Sequence, residues 1–280
     1  MAWATCQGVD PRERVDPALF REILARNLGS HDHDTPLGRK CHEGCETVPS
    51  PVHALTCTRG GMQTHTHQTI LHEFLTRTLR ECRIPHEKES STPFKEGTAP
   101  GAGYLRMDVV VGSGTLFRGK EEFKSSSLMF DVTVVNPLGP TALANSGPRA
   151  GHALEEAVKA KKTKYGGTYR PTYKLLPLAF STCGDYSASV HDLVKDLGRL
   201  KAELDEEYLM VGEGGQLAIQ ARETGRLRRL LSITAQKALA YRSLRYANRQ
   251  QLQERRTTAT ESAPRTMRFP SPATKRARRL

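Results

Sequence analysis

The alternation of short β-rich runs with long amphipathic helices is what most narrows the folds open to this chain. Three runs read as strands: 104–111, 129–135 and 174–181. The last carries Pro177, which belongs at a sheet edge if the run is a strand at all. Helical spacing surrounds them. Ile70, Leu71, Phe74, Leu75 and Leu79 recur with that period through 66–82, and 151–165 forms a further helix. Val190, Leu193, Val194, Leu197, Leu200 and Leu204 share one face of 189–208. In 217–250 many arginines stand opposite Leu227, Leu230, Leu231 and Leu244. A short helix starts at Asp16-Pro17, runs through Ala18, Leu19, Phe20, Ile23 and Leu24, and ends at Gly29. Helix, strand, strand, helix, strand, helix predicts an α/β domain built on a central sheet.

With 280 residues the chain holds one sizeable domain or two smaller ones, and 37% hydrophobic residues suffice for one core. Net charge is +12, with a pI near 9.6. Such an excess favours polyanions through phosphate contact and counterion release. The chain has no run of 18 apolar residues, so no membrane span is expected. The N-terminus lacks the basic start and apolar stretch of a secretory signal, which predicts an intracellular or nuclear protein that is not secreted.

Cys6, Cys41, Cys45, Cys57, Cys82 and Cys183 are the cysteines, and three of them cluster beside histidines. In a reducing compartment that clustering points to metal before disulfide. Cys41, Cys45, His53 and Cys57 supply four ligands of the type that structural zinc takes in a tetrahedron, with His42 competing for the place of His53. The stretch has too few apolar residues to fold alone, so metal binding would supply its folding energy.

Two acids interrupt the apolar strands: Asp108, beside Arg106 and Met107, and Asp131, ahead of Val132 and Thr133. Burying an unpaired carboxylate is costly, so a pair on neighbouring strands suggests a site for Mg²⁺ or Mn²⁺. Lys161 and Lys164, three apart in the 151–165 helix, share a helical face with Tyr165 following. A lysine there could position water or stabilise charge on a phosphate.

In order, these parts resemble the restriction-like endonuclease region of site-specific non-LTR retrotransposon proteins. Those regions show a Cys-Cys-His-Cys knuckle, a helix opening near a histidine, an (Arg/Lys)-Pro-Asp strand, a second acidic strand and a Lys-x2-Lys-Tyr helix. Here stand Cys41, Cys45, His53 and Cys57, then Gly60-Gly61 and Thr66-His67, then Arg106-Met107-Asp108, Asp131-Val132-Thr133-Val134, and Lys161-x2-Lys164-Tyr165. The resemblance covers about residues 38–200. It implies the PD-(D/E)xK nuclease fold: a restriction-endonuclease-like mixed sheet flanked by helices, with a small N-terminal zinc knuckle and a C-terminal helical extension. It also implies that Asp108 and Asp131 bind a catalytic cation and that Lys161 is the catalytic lysine. Glu73, Thr133, Lys164 and Tyr165 would support the site, with Glu87 or Glu89 as further acidic ligands. Arg106 and Lys162 would contact nucleic acid, double-stranded DNA above all. Glu73 has a plainer reading, a surface pair with Arg77 four residues on. The chain departs from the pattern at Met107, where proline is usual, and at Thr133, where a strand lysine would stand.

The expected organisation is an N-terminal helix and linker at 1–37, a zinc knuckle at 38–65, the nuclease-like domain at 66–210, a basic helix at 211–250 and a disordered basic tail at 251–280. That tail ends in Lys275-Arg276-Ala277-Arg278-Arg279, the pattern of a nuclear-import or nucleic-acid tail. A metal-dependent DNA endonuclease is the leading expectation. A catalytically inactive nucleic-acid-binding protein on the same scaffold, or an interaction module using the helices at 189–250, are the alternatives.

Overall fold

A computed structural model describes residues 14–28, 62–95, 105–137, 142, 151–209 and 213–262. The chain begins with α1 (Pro17–Leu28). Asp16 caps it: its Oδ1 accepts the amide of Ala18 at 2.8 Å, and Pro17 sits where no donor is needed. Then α2 (Met62–Thr69), a π-helical stretch (Ile70–Thr76) and α3 (Arg77–Glu81) run on without a break. The i→i+5 bonding of the π stretch brings Ile70, Leu71, Phe74, Leu75 and Thr76 onto a buried surface.

Next come β1 (His86–Ser90), β2 (Met107–Val111), the short α4 (Glu121–Lys124), β3 (Ser127–Val135), α5 (His152–Tyr165), β4 (Tyr173–Ser181), α6 (Ala188–Leu209) and α7 (Glu213–Ser262). The four strands form one mixed sheet in the order β1-β2-β3-β4. The first two pairings are antiparallel, and β3 and β4, joined through α5, are parallel. A parallel pair needs such a crossover, and here the helix lies against the strands it links. The structure is therefore α/β, with a four-stranded mixed sheet flanked by helices.

The sheet separates two cores. On one face Val109, Val111, Phe130, Val132 and Val134 pack with the π stretch and with Val190, Leu193, Val194, Leu197, Leu227, Leu230 and Leu231 of α6 and α7. On the other, Val110, Met129 and Leu175 pack with Tyr165 of α5 and with Phe94. Ile23 of α1 meets Ile233 and Ala240 of α7 in a third, small cluster.

Four features depart from expectation. The sequence pattern holds no sign of β1, whose residues HEKES are mostly exposed and carry no apolar alternation. It forms because β2 offers it an open edge, with His86 opposite Val111 and Ser90 opposite Met107. The connection from β2 to β3 holds the helical turn α4, which the strand and helix pattern of the sequence does not include. The 211–250 helix and 251–280 tail are redrawn: α7 continues to Ser262 because neither glycine nor proline falls between Gly225 and Pro264. Arg77 pairs with Glu81 at 3.5 Å rather than with Glu73. The expected zinc ligands Cys41, Cys45, His53 and Cys57, with His42, lie outside the described residues. No helix among the described residues is long and apolar enough to cross a membrane.

Candidate active site

Strand register brings the two aspartates side by side. In the β2–β3 ladder Val110 faces Met129 and Val109 faces Phe130, so one step further sets Asp108 across from Asp131. Asp131 shares the face of Met129, which α5 covers, while Asp108 turns its carboxylate toward β3 and α2. Helix α5 starts after Gly151, whose φ of +84° suits a residue without Cβ. It lays Lys161 and Tyr165, one turn apart, over Asp131.

Asp131 is buried, and both its oxygens have neighbours. Tyr165 donates its hydroxyl to Oδ1 at 2.9 Å, and Lys161 Nζ lies 2.7 Å from Oδ2. The second contact is close but not aligned as a hydrogen bond, so Oδ2 keeps unused acceptor capacity in a buried place. Lys164 donates to the Tyr165 hydroxyl at 3.3 Å and stands 4.8 Å from the centre of its ring. The Tyr165 phenol is pushed well above its ordinary pKa, first by burial, then by the charge and hydrogen bond of Asp131, then by the charge of Asp108. It therefore keeps its proton and remains a donor.

Asp108 is held from two other elements. Its Oδ2 accepts the amide of Val132 at 2.6 Å and lies 2.9 Å from His67 Nε2, at the end of α2. With a carboxylate facing it, Nε2 of His67 carries the hydrogen. No bond among the described residues engages Oδ1 of Asp108. One oxygen of each aspartate is thus open or underused, which is the donor set that Mg²⁺ or Mn²⁺ takes when water and phosphate complete its shell. Among the described residues no group of three or more His, Cys, Asp and Glu is arranged to hold a metal. Of the described residues, the two carboxylates are the ones that would hold a cation here.

The remaining expected residues fall at varying distance from this centre. Thr133 lies one pleat along from Asp131, half-buried and opposite Ala179. The β1–β2 register sets Glu89 across from Asp108, but Glu89 is exposed and held by Arg106 at 3.7 Å. Its φ of +49° places the backbone in the left-handed region. Glu87 accepts the Ser90 hydroxyl at 2.8 Å. Glu73 is exposed on the π stretch and belongs to none of the site's bonds. Arg106 and Lys162 are exposed, as a contact to an external polyanion requires.

His67 is the member that sequence reasoning quoted only as a marker of a helix start. Its place three residues ahead of the apolar run was the sole hint. Nothing local shows that a residue 41 positions from Asp108 will touch it. The chain matches no protein-family model and no curated protein.

Proposed function

We propose that this protein is a metal-dependent DNA endonuclease, built on a restriction-endonuclease-like fold and akin to the nuclease region of non-LTR retrotransposon proteins. The observation that carries the reading is the convergence of Asp108 and Asp131 from neighbouring strands with Lys161 from the crossover helix. The zinc knuckle at Cys41, Cys45, His53 and Cys57 and the basic helices belong to the same reading, as grips on the duplex. So does the 275–279 cluster, as a nuclear address.

The two oxygens without a hydrogen bond among the described residues, Asp108 Oδ1 and Asp131 Oδ2, would hold Mg²⁺ or Mn²⁺ once Lys161 moves aside. Such a cation lowers the pKa of bound water and offsets charge on a transferring phosphate. The chain's own groups prepare that chemistry. Tyr165 fixes the Asp131 carboxylate by its Oδ1, leaving Oδ2 buried beside Lys161 with no hydrogen bond of its own. His67 and the Val132 amide fix Asp108 by its Oδ2 and leave Oδ1 free. Lys161, partly exposed, can turn its ammonium from Asp131 toward a backbone phosphate or its attacking water.

A second reading has one observation in its favour. Asp131 is already neutralised by Lys161 and bonded to Tyr165, a state a silent scaffold would keep. In that case the protein binds nucleic acid without cutting it. Supercoiled plasmid separates the two. The endonuclease converts it to nicked circles only when Mg²⁺ or Mn²⁺ is present, and Lys161→Met slows the conversion by about two orders of magnitude. Intact plasmid with either metal, alongside salt-sensitive binding, establishes the silent scaffold instead.

A further inference from the structure

Strand β4 is one of the two edges of the sheet, and a groove of about 410 Å³ lies along its first half. That volume falls within the range of small-ligand sites, roughly 300–1,000 Å³. Its floor is apolar: Leu175, Pro177 and Val158 of α5. Its walls carry the half-buried ring of Tyr169 and two exposed lysines, Lys162 and Lys174. Neither lysine makes an ion pair among the described residues. A single carboxylate, Glu122, stands against them.

The edge is closed to an added peptide strand where Pro177 sits. The Ser189 hydroxyl already donates to the Pro177 carbonyl at 2.6 Å, so this residue's backbone faces outward, and proline has no N–H to offer there. What remains is an apolar lining, an aromatic ring and two lysines facing a single carboxylate. This is the chemistry that takes a base by its face and its phosphate by charge. The groove also adjoins the site described above: Pro177 lies in register with Asp131 on the neighbouring strand, about 5 Å away. Lys162 follows Lys161 in α5.

We propose that this groove holds an unpaired nucleotide of a DNA strand, with its base against Leu175, Pro177 and Tyr169 and its phosphate on Lys162 and Lys174. The preferred substrate is then a duplex with a single-stranded branch, the unpaired nucleotide lying next to the phosphate presented to Asp108 and Asp131. The binding step rests on the nucleic-acid reading. The consequence for cleavage rests on the endonuclease reading.

Binding is measured on the full chain, without added divalent metal. Two fluorescent duplexes are compared, one blunt and one with a short flap carrying an emissive adenine analogue at its first unpaired position. The flapped duplex binds about tenfold more tightly, the effect of one stacked base with its phosphate contact, and the analogue is quenched. In the Lys162→Ala, Lys174→Ala double variant the preference falls to near unity, and Tyr169→Leu removes the quenching. Equal affinity for the two duplexes, or a preference unchanged in the double variant, overturns the proposal. So does a free deoxynucleotide that competes as well as the flap, because the groove would then serve mononucleotides. Because no metal is added, loss of plasmid nicking leaves this result standing, and loss of the flap preference leaves nicking standing.

Discussion

Asp108 has two duties that mutation can separate. Its Oδ2 satisfies the Val132 amide, a backbone donor that the β2–β3 ladder leaves to a side chain, while its Oδ1 is free for other work. Removing the acceptor strands a buried N–H, a penalty of about 1–3 kcal/mol. Asp108→Ala should therefore lose both cleavage and about that much unfolding free energy in urea. Asp108→Asn keeps an acceptor for the amide and should lose cleavage with much less stability. Equal destabilisation of the two variants would show that Val132 does not depend on this side chain. Cys82 gives a second residue-scale prediction. Its thiol is buried, with a weak contact to the Leu197 carbonyl, and burial pushes its pKa from 9.0 up to about 12 against the opposing pull of Lys201 and Arg226. The neutral thiol is favoured in the fold, so the contribution is intact below pH 9 and is lost as pH rises toward 12. Thermal melts over that window should fall more steeply for the native chain than for Cys82→Ala. Parallel pH profiles would remove the thiol from the account. At this scale Lys161 stood out from Lys164 only through the Lys-x2-Lys-Tyr resemblance, whereas the acids were legible because carboxylates inside apolar strands are costly. The partners of Asp108 were not, since His67 and the Val132 amide reach it only through tertiary packing.

Among the elements, the crossing of α6 and α7 is set by one close approach. A Cβ on Gly198 would fall 2.2 Å from the Thr224 hydroxyl and 2.9 Å from the backbone nitrogen and Cα of the same residue. Backbone cannot swing aside as a side-chain tip can, so Gly198→Ala must push the helices apart. A loss of about 1–3 kcal/mol in urea unfolding is expected, the usual cost of overpacking. A neutral or stabilising effect, as expected from replacing a mid-helix glycine on propensity alone, would mean the helices have room to part. Period and β-branching revealed β3, β4 and α6 to within a few residues, because each buries a continuous apolar face. Pro177 is compatible with β4 because that strand is an edge and Ser189 takes up its carbonyl. Strand β1 was invisible because its stability comes from pairing with β2 rather than from its own side chains. The extent of α7 was missed because a polar, basic composition was read as disorder, although neither glycine nor proline falls between Gly225 and Pro264.

For the whole molecule, the net charge of +12 is a statement about partners. Association with duplex DNA should weaken linearly on a log–log plot against salt, with a slope of about −0.9 for each phosphate neutralised. Anisotropy titrations at several salt concentrations measure it, and an affinity indifferent to salt would exclude a phosphate-tracking surface. The mixed sheet and its crossover helix were readable as a class from the order of elements. The meeting of Asp108, Asp131, Lys161 and Tyr165 was readable only as an expectation, since register and helix placement decide it.

The account depends on two carboxylates sharing one divalent ion, and Mn²⁺ binding followed by electron paramagnetic resonance reads this directly. With the full chain saturated in zinc and a duplex bound, the native protein should hold Mn²⁺ at a site that both Asp108→Asn and Asp131→Asn abolish, each alone being sufficient. Mn²⁺ held equally by the native chain and both variants would contradict the shared site, as would no bound Mn²⁺ in any of the three.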